Sequence, residues 1–155
     1  MAAAPRVIVP ERGRTVPTAG RPVLLATFAV PFDPAASEFA VDAAVETGEP
    51  LILANVVDLP PLAMSVSMGH DQLEDTPELA ESLLAPARLA HSLGVRVERL
   101  RVKSPRPVEA LLELVGEREP GILVFGPDRS RLRPRRYRKA VRAIQARAAC
   151  LVWVA

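Results

Sequence analysis

Five short apolar runs, with helix-like segments between them, constrain this chain more than any other feature. In order they are PVLLATFAV from Pro22, PLILANVVD from Pro50, VRVERLRV from Val95, GILVFG from Gly121 and CLVWVA from Cys150. Uninterrupted apolar runs of strand length suit strands buried on both faces. The third run differs. Val95, Val97, Leu100 and Val102 alternate with charged neighbours, with one slip at Arg99–Leu100. Such alternation predicts a strand with one wet face, at a sheet edge.

The intervening segments carry helix signals. Asp33 is a good N-cap, Pro34 fits the first helical position, and Gly48 can close the helix. Ala36, Phe39, Ala40, Ala43 and Ala44 share one face of it. Residues 59–74 hold prolines, serines and a glycine and read as a long loop. Thr76 and Pro77 open the next helix, and Gly94 ends it. Pro86 inside that pattern is expected to kink or split it, because proline removes an amide donor. A third helix follows Ser104, with Val108, Leu111, Leu112 and Val115 expected inward. The fourth, LRPRRYRKAVRAIQARA, presents Tyr137, Val141 and Ile144 as its apolar face.

Strand and helix therefore alternate β-α-β-α-β-α-β-α-β. Right-handed crossovers of this kind give an α/β fold, a parallel sheet covered by helices on both faces. Ligands of doubly wound sheets sit beyond the carboxyl ends of the strands, where strand order reverses. Here that rule points to the ends of the first and fourth strands, near Phe28 and Gly126. Residues 1–20 are rich in Pro, Arg, Ala and Gly and read as a flexible tail, in which RVIV could add a short edge strand. Residues 21–155 then form the one domain.

Composition narrows the functional classes. Aromatics make up only 4% of 155 residues, so the core must be aliphatic and alanine-rich. No segment approaches the roughly 20 apolar residues needed to cross a bilayer, and none reads as a secretory signal. The chain is read as cytoplasmic. The single cysteine, Cys150, excludes an internal disulfide and a multi-cysteine zinc site, and it reads as a core residue rather than a redox sensor. His70 and His91 have no metal-ligand spacing. His91 reads as a surface residue near a helix C-terminus. His70 and Asp71 form a loop pair without a third member, and Met64 and Met68 read as loop residues packing on the domain. No catalytic constellation is legible.

The charge is concentrated. Residues 129–147 hold nine of the 20 basic residues and none of the 18 acids, so the rest of the chain is acidic. A cluster of this kind makes a local field, which a dispersed charge does not. Cations at a helix start also oppose the macrodipole, and a bound anion would relieve that.

The chain resembles the universal stress protein family over about residues 21–155. The resemblance rests on element order, on LILANVVD, on PGILVFG and on the closing RKAVRAIQARAACLVWVA. It implies a five-stranded parallel sheet of order 3-2-1-4-5 and a dimer, often formed by pairing fifth strands. Nucleotide-binding members carry a loop G-x2-G-x9-G-[S/T] after the fourth strand, whose backbone amides cradle phosphates. Gly126 matches the first glycine. Arg129 stands at the second, and Lys139 and Ala140 stand at the Gly-Ser/Thr pair. Pro127 removes a further amide donor. An aspartate ends the first strand of ATP-binding members, and Phe28 occupies that position here. Val56 matches the residue that flanks adenine. Loop length is kept while its chemistry changes, which implies that the family's usual ATP site is absent or weakened.

Three readings follow. In the first the chain is a non-catalytic stress-response module that does not hold ATP in the usual manner. In the second Arg129, Ser130 and Lys139 replace the glycine cradle and bind a nucleotide or another anion. In the third the basic segment 129–147 docks an acidic protein or a nucleic acid, although no nucleic-acid motif is present. A salt bridge to the chain's own acidic remainder competes with that docking. The fifth strand, Leu151, Val152, Trp153 and Val154, is the candidate dimer interface, because an edge strand invites pairing. The competing reading is a monomer with that edge covered by the N-terminal tail.

Overall fold

The structure is a computed structural model that describes residues 21–59 and 76–155. The expected tail, the loop pair His70–Asp71, Met64 and Met68 lie outside the described residues. Among the described residues nine elements alternate: β1 (Val23–Thr27), α1 (Pro34–Thr47), β2 (Leu51–Asp58), α2 (Pro77–Ser92), β3 (Val97–Ser104), α3 (Pro107–Arg118), β4 (Ile122–Phe125), α4 (Pro134–Arg147) and β5 (Leu151–Val154). A short 3-10 turn at Arg129–Arg131 precedes α4. It shortens the fourth helix relative to the sequence reading, because Pro134 takes the first helical position.

The five strands form one sheet of order β3-β2-β1-β4-β5. All four pairings are parallel. β3 is an edge, as its alternation predicts. Its slip has a simple cause. Val97 packs toward one face of the sheet, while Leu100 and Val102 pack toward the other.

Two apolar layers cover the sheet. On one face Leu24, Ala26, Ile52, Ala54 and Leu123 meet Leu111, Leu114 and Val115 of α3 and Tyr137, Ala140 and Ile144 of α4. On the other, Leu25, Leu51, Leu53 and Val124 meet Ala36, Ala40, Val41 and Ala44 of α1 and Ala90 of α2. Full burial of a leucine-sized side chain contributes about 1.5–3 kcal/mol, so these layers dominate stability. In α3 the buried position is Leu114 rather than the expected Leu112.

The helix ends follow the sequence. The Asp33 carboxylate accepts from the Ala36 amide at 3.0 Å, and Gly48 closes α1 in the left-handed region at φ 74°. Thr76 caps α2 through the Leu79 amide at 3.2 Å. Pro86 neither splits nor ends α2, which runs unbroken from Pro77 to Ser92. Pro86 is itself buried, and Leu83, Ala87 and Ala90 pack on the second layer. That packing offsets the lost amide, which on its own would cost about 3 kcal/mol.

Candidate functional site: the loop after the fourth strand

Alanines at positions 36, 40 and 44 give α1 a smooth buried stripe, which lets the helix approach the sheet closely. The approach is tight at Gly126. A Cβ added there would lie 2.3 Å from the Ala36 Cβ. Gly126 therefore has a structural reason to be glycine without reference to a phosphate.

The loops after β1 and β4 are then tied together. The Asp33 amide donates to the Gly126 carbonyl at 2.9 Å, and the Asp128 amide donates to the Pro31 carbonyl at 2.8 Å. Phe32 and Pro127 form an antiparallel bridge between these bonds. The Gly126 amide donates to Ala26 at 2.9 Å, continuing the β1–β4 ladder.

Beyond Pro127 the chain closes on itself. Asp128 Oδ1 accepts from the Ser130 amide at 3.0 Å and from its hydroxyl at 2.7 Å. The Arg131 amide donates to the Asp128 carbonyl, and the Leu132 amide donates to that of Arg129. So the amides of Gly126, Asp128, Ser130, Arg131 and Leu132 all have protein acceptors, and Pro127 has none to offer. A phosphate cradle needs such amides aimed outward. The Asp128 carboxylate adds a negative charge where a phosphate would need none.

An aromatic stack fills the interior beneath the loop. Phe28 meets Phe125 edge-on at 4.9 Å between centroids, and Phe125 stacks on Tyr137 at 6.2 Å. The Arg129 guanidinium lies over the Tyr137 ring at 4.5 Å. The Tyr137 hydroxyl donates to the Ala155 carbonyl at 2.6 Å. Burial pushes this phenol up from its ordinary value, partly opposed by the Arg129 charge, while Asp33 adds to the rise.

The residues singled out in the sequence are only partly brought together. Arg129 and Ser130 share a small cleft with Pro134, Tyr137 and Arg138, of about 220 Å³. Lys139 is exposed and does not line it, and Ala140 is a core residue, 3% exposed. Phe28 and Val56 are buried in the layer beneath α3 and α4. The helix cation that faces Arg129 across the cleft is thus Arg138, one residue from the position the loop spacing singles out. The spacing counts residues, whereas the 3-10 turn and Pro134 set where α4 begins and which side faces the loop.

Several of the basic residues pair with the chain's own acids. Arg131 reaches Glu78 at 3.2 Å, Arg136 reaches Asp58 at 3.3 Å, and Arg147 holds Glu109 through two bonds of 2.8 and 2.9 Å. The Arg147 hydrogen bond keeps the Glu109 carboxyl below its ordinary value. Cys150 is half-buried, and burial raises its thiol to about 11, partly opposed by a backbone hydrogen bond at Leu123. It is therefore not poised as a thiolate. Among the described residues no group of three or more His, Cys, Asp or Glu could hold a metal ion.

Residues 21–155 match the family model described as the universal stress protein family. The chain belongs to the universal stress protein family. Solved structures of that family share its fold. One from Burkholderia pseudomallei superposes with a TM-score of 0.60 at 17% identity, covering 88% of this chain and 96% of that one. A universal stress protein in complex with cAMP gives 0.59 at 20% identity, covering 89% and 98%. One from Archaeoglobus fulgidus in complex with dAMP gives 0.59 at 16% identity, covering 86% and 96%. No curated protein matches significantly. The sheet order of this universal stress protein is the one its resemblance implied. No helix among the described residues is long and apolar enough to cross a membrane.

Proposed function

We propose that this universal stress protein is a non-catalytic stress-response module that does not hold ATP by the family's glycine cradle. Family membership supports the stress-response role. One observation carries the rest: the loop amides of Gly126, Asp128, Ser130, Arg131 and Leu132 are already bonded within the protein. Phe28, which the family resemblance aligns with the aspartate of the adenine side, packs on Phe125. Calorimetric titration with ATP, ADP and AMP tests this reading, which expects no heat at millimolar ligand.

A second reading has its own support. Arg129 and Arg138 flank a cleft of about 220 Å³, and neighbours in the family have been solved with cAMP or dAMP. A nucleotide or smaller anion would then be held by side chains instead of amides. Its signature is binding that Arg129→Ala abolishes and Arg136→Ala leaves intact, because Arg136 lies outside the cleft and pairs with Asp58.

The assembly proposed is a homodimer through β5. That strand is a sheet edge among the described residues, and Leu151 on it is 72% exposed. An unpaired edge with an exposed leucine favours a second copy. An acidic partner at residues 129–147 is the alternative use of the basic segment, reduced by the intramolecular pairs of Arg131, Arg136 and Arg147. A cytoplasmic location accords with this role.

A further inference from the structure

The opposite face of the sheet holds a buried polar side chain. Asn55 is the one amide side chain in the apolar run LILANVVD, and it is 5% exposed. Its Oδ1 accepts from the Ala29 amide at 2.8 Å, at a point where Ala29 adopts the left-handed conformation with φ 58°. An N–H needs an acceptor, so this bond fixes which end of the amide is oxygen. Nδ2 then remains, fully buried and, among the described residues, without a hydrogen-bond partner. An unmet buried donor costs about 1–3 kcal/mol, and native structures rarely keep one without a reason.

The same side chain lines a cavity of about 290 Å³ between α2 and strands β2 and β3. Its walls include Phe32, Leu53 and Leu83, which are apolar, and Arg99 and Arg101, which are not. The strand register explains the arginines. Leu53 pairs with Arg99 and Asn55 with Arg101, so all four side chains share the sheet face that α2 covers. The volume lies at the small end of ligand pockets, which span roughly 300–1,000 Å³. Apolar walls, a buried donor and adjacent cationic side chains describe a site for a molecule with a hydrocarbon body and an anionic head.

We propose that this cavity binds a small organic anion, with its negative charge beside Arg99 and a shift of the Asn55 side chain bringing Nδ2, now out of reach of solvent, to one of its oxygens. The site is separate from the loop after β4. Val56, which matches the family's adenine-flanking residue, points to the other face of the sheet. The proposal therefore stands whether or not a nucleotide binds near Arg129.

Side-chain and backbone amide NMR of the full chain tests it, with benzoate, hexanoate and phenyl phosphate as probes. Benzyl alcohol and inorganic phosphate are the controls that lack the charge or the apolar body. At least one organic anion should shift the Asn55 side-chain amide resonances saturably, and both controls should leave them in place. Arg99 is an exposed residue, so Arg99→Ala should keep the fold and weaken binding by about tenfold or more, as expected for loss of a charge-assisted hydrogen bond. Leu83→Trp, which fills the cavity, should abolish binding. Silence from all three anions, an equal response to benzyl alcohol, or affinity unchanged in Arg99→Ala would each overturn the proposal.

Discussion

The Arg129 guanidinium lies 4.5 Å from the centroid of the Tyr137 ring, on the outer surface of a stack that runs inward through Phe125 to Phe28. The Arg129 side chain is thereby held against the protein. A cation–π contact at an exposed site contributes about 0.5–1 kcal/mol. It lowers the Tyr137 phenol, while burial raises it more strongly. In Arg129→Ala the phenol should therefore titrate at higher pH than in the parent, as read by phenolate absorbance. Because the folded value is raised, Tyr137 contributes stability below about pH 10 that is lost as pH rises through the folded value.

Gly126 and Ala36 make a second testable pair. Gly126→Ala forces a Cβ to within 2.3 Å of another and should cost about 1–3 kcal/mol by overpacking. Ala36→Gly alone should cost about 1 kcal/mol by helix propensity. The double variant should lose less than the two singles together, because the collision is gone. Denaturant unfolding reads all three. Strict additivity would mean that the close approach relaxes without cost.

Asp128 is predicted to suppress anion binding as well as to shape its turn. Asp128→Ala removes the acceptor of the Ser130 amide and hydroxyl and should cost about 1 kcal/mol as a lost cap. It also removes a negative charge and leaves two donors without a partner. Phosphorus NMR should show tighter binding of inorganic phosphate by the variant than by the parent. Equal affinity would show that the carboxylate is not what closes the loop.

Cys150 should react slowly. Its thiol lies at about 11 against an ordinary 9.0, so at neutral pH the thiolate is scarce. Alkylation by iodoacetamide should be slow at pH 8 in the folded protein and should accelerate as pH rises toward 11. The sign for stability is the same as for Tyr137. The contribution is complete below pH 9 and lost as pH climbs to about 11. Rapid labelling at pH 7 would contradict burial as the cause.

The proposed dimer is best probed at Leu151. Trp153 stacks on Phe39 of α1, with rings 4.7 Å apart and 12° from parallel. Trp153→Glu would therefore disturb the subunit as well as the edge. Leu151 is exposed, so Leu151→Glu should leave the fold intact and halve the mass seen by light scattering. An unchanged mass would argue against pairing at this edge.

Much of the fold is legible in the sequence because apolar runs and caps act locally. Asp33, Thr76 and Gly48 end their helices through groups within a few residues of themselves. Pro86 leaves α2 unsplit because its cost is local while the packing of its neighbours Leu83, Ala87 and Ala90 on the second layer is tertiary. Loop spacing locates Gly126, Arg129 and Ser130, but it cannot show that Asp128 turns back on Ser130 or that Arg138 faces the cleft. Asn55 carries the faintest signal, a single amide inside an apolar strand. Its meaning depends on Ala29 and Arg101, which are far from it in sequence.

The loop after β4 is proposed to offer no cradle for ATP. Amide NMR during an ATP titration tests it at the atoms concerned, the Gly126, Asp128 and Ser130 amides. These three resonances should hold their positions up to millimolar ATP, because their protons are already bonded to Ala26, Pro31 and Asp128. Saturable movement of all three, with the downfield shifts of amides that take up phosphate oxygens, would contradict it.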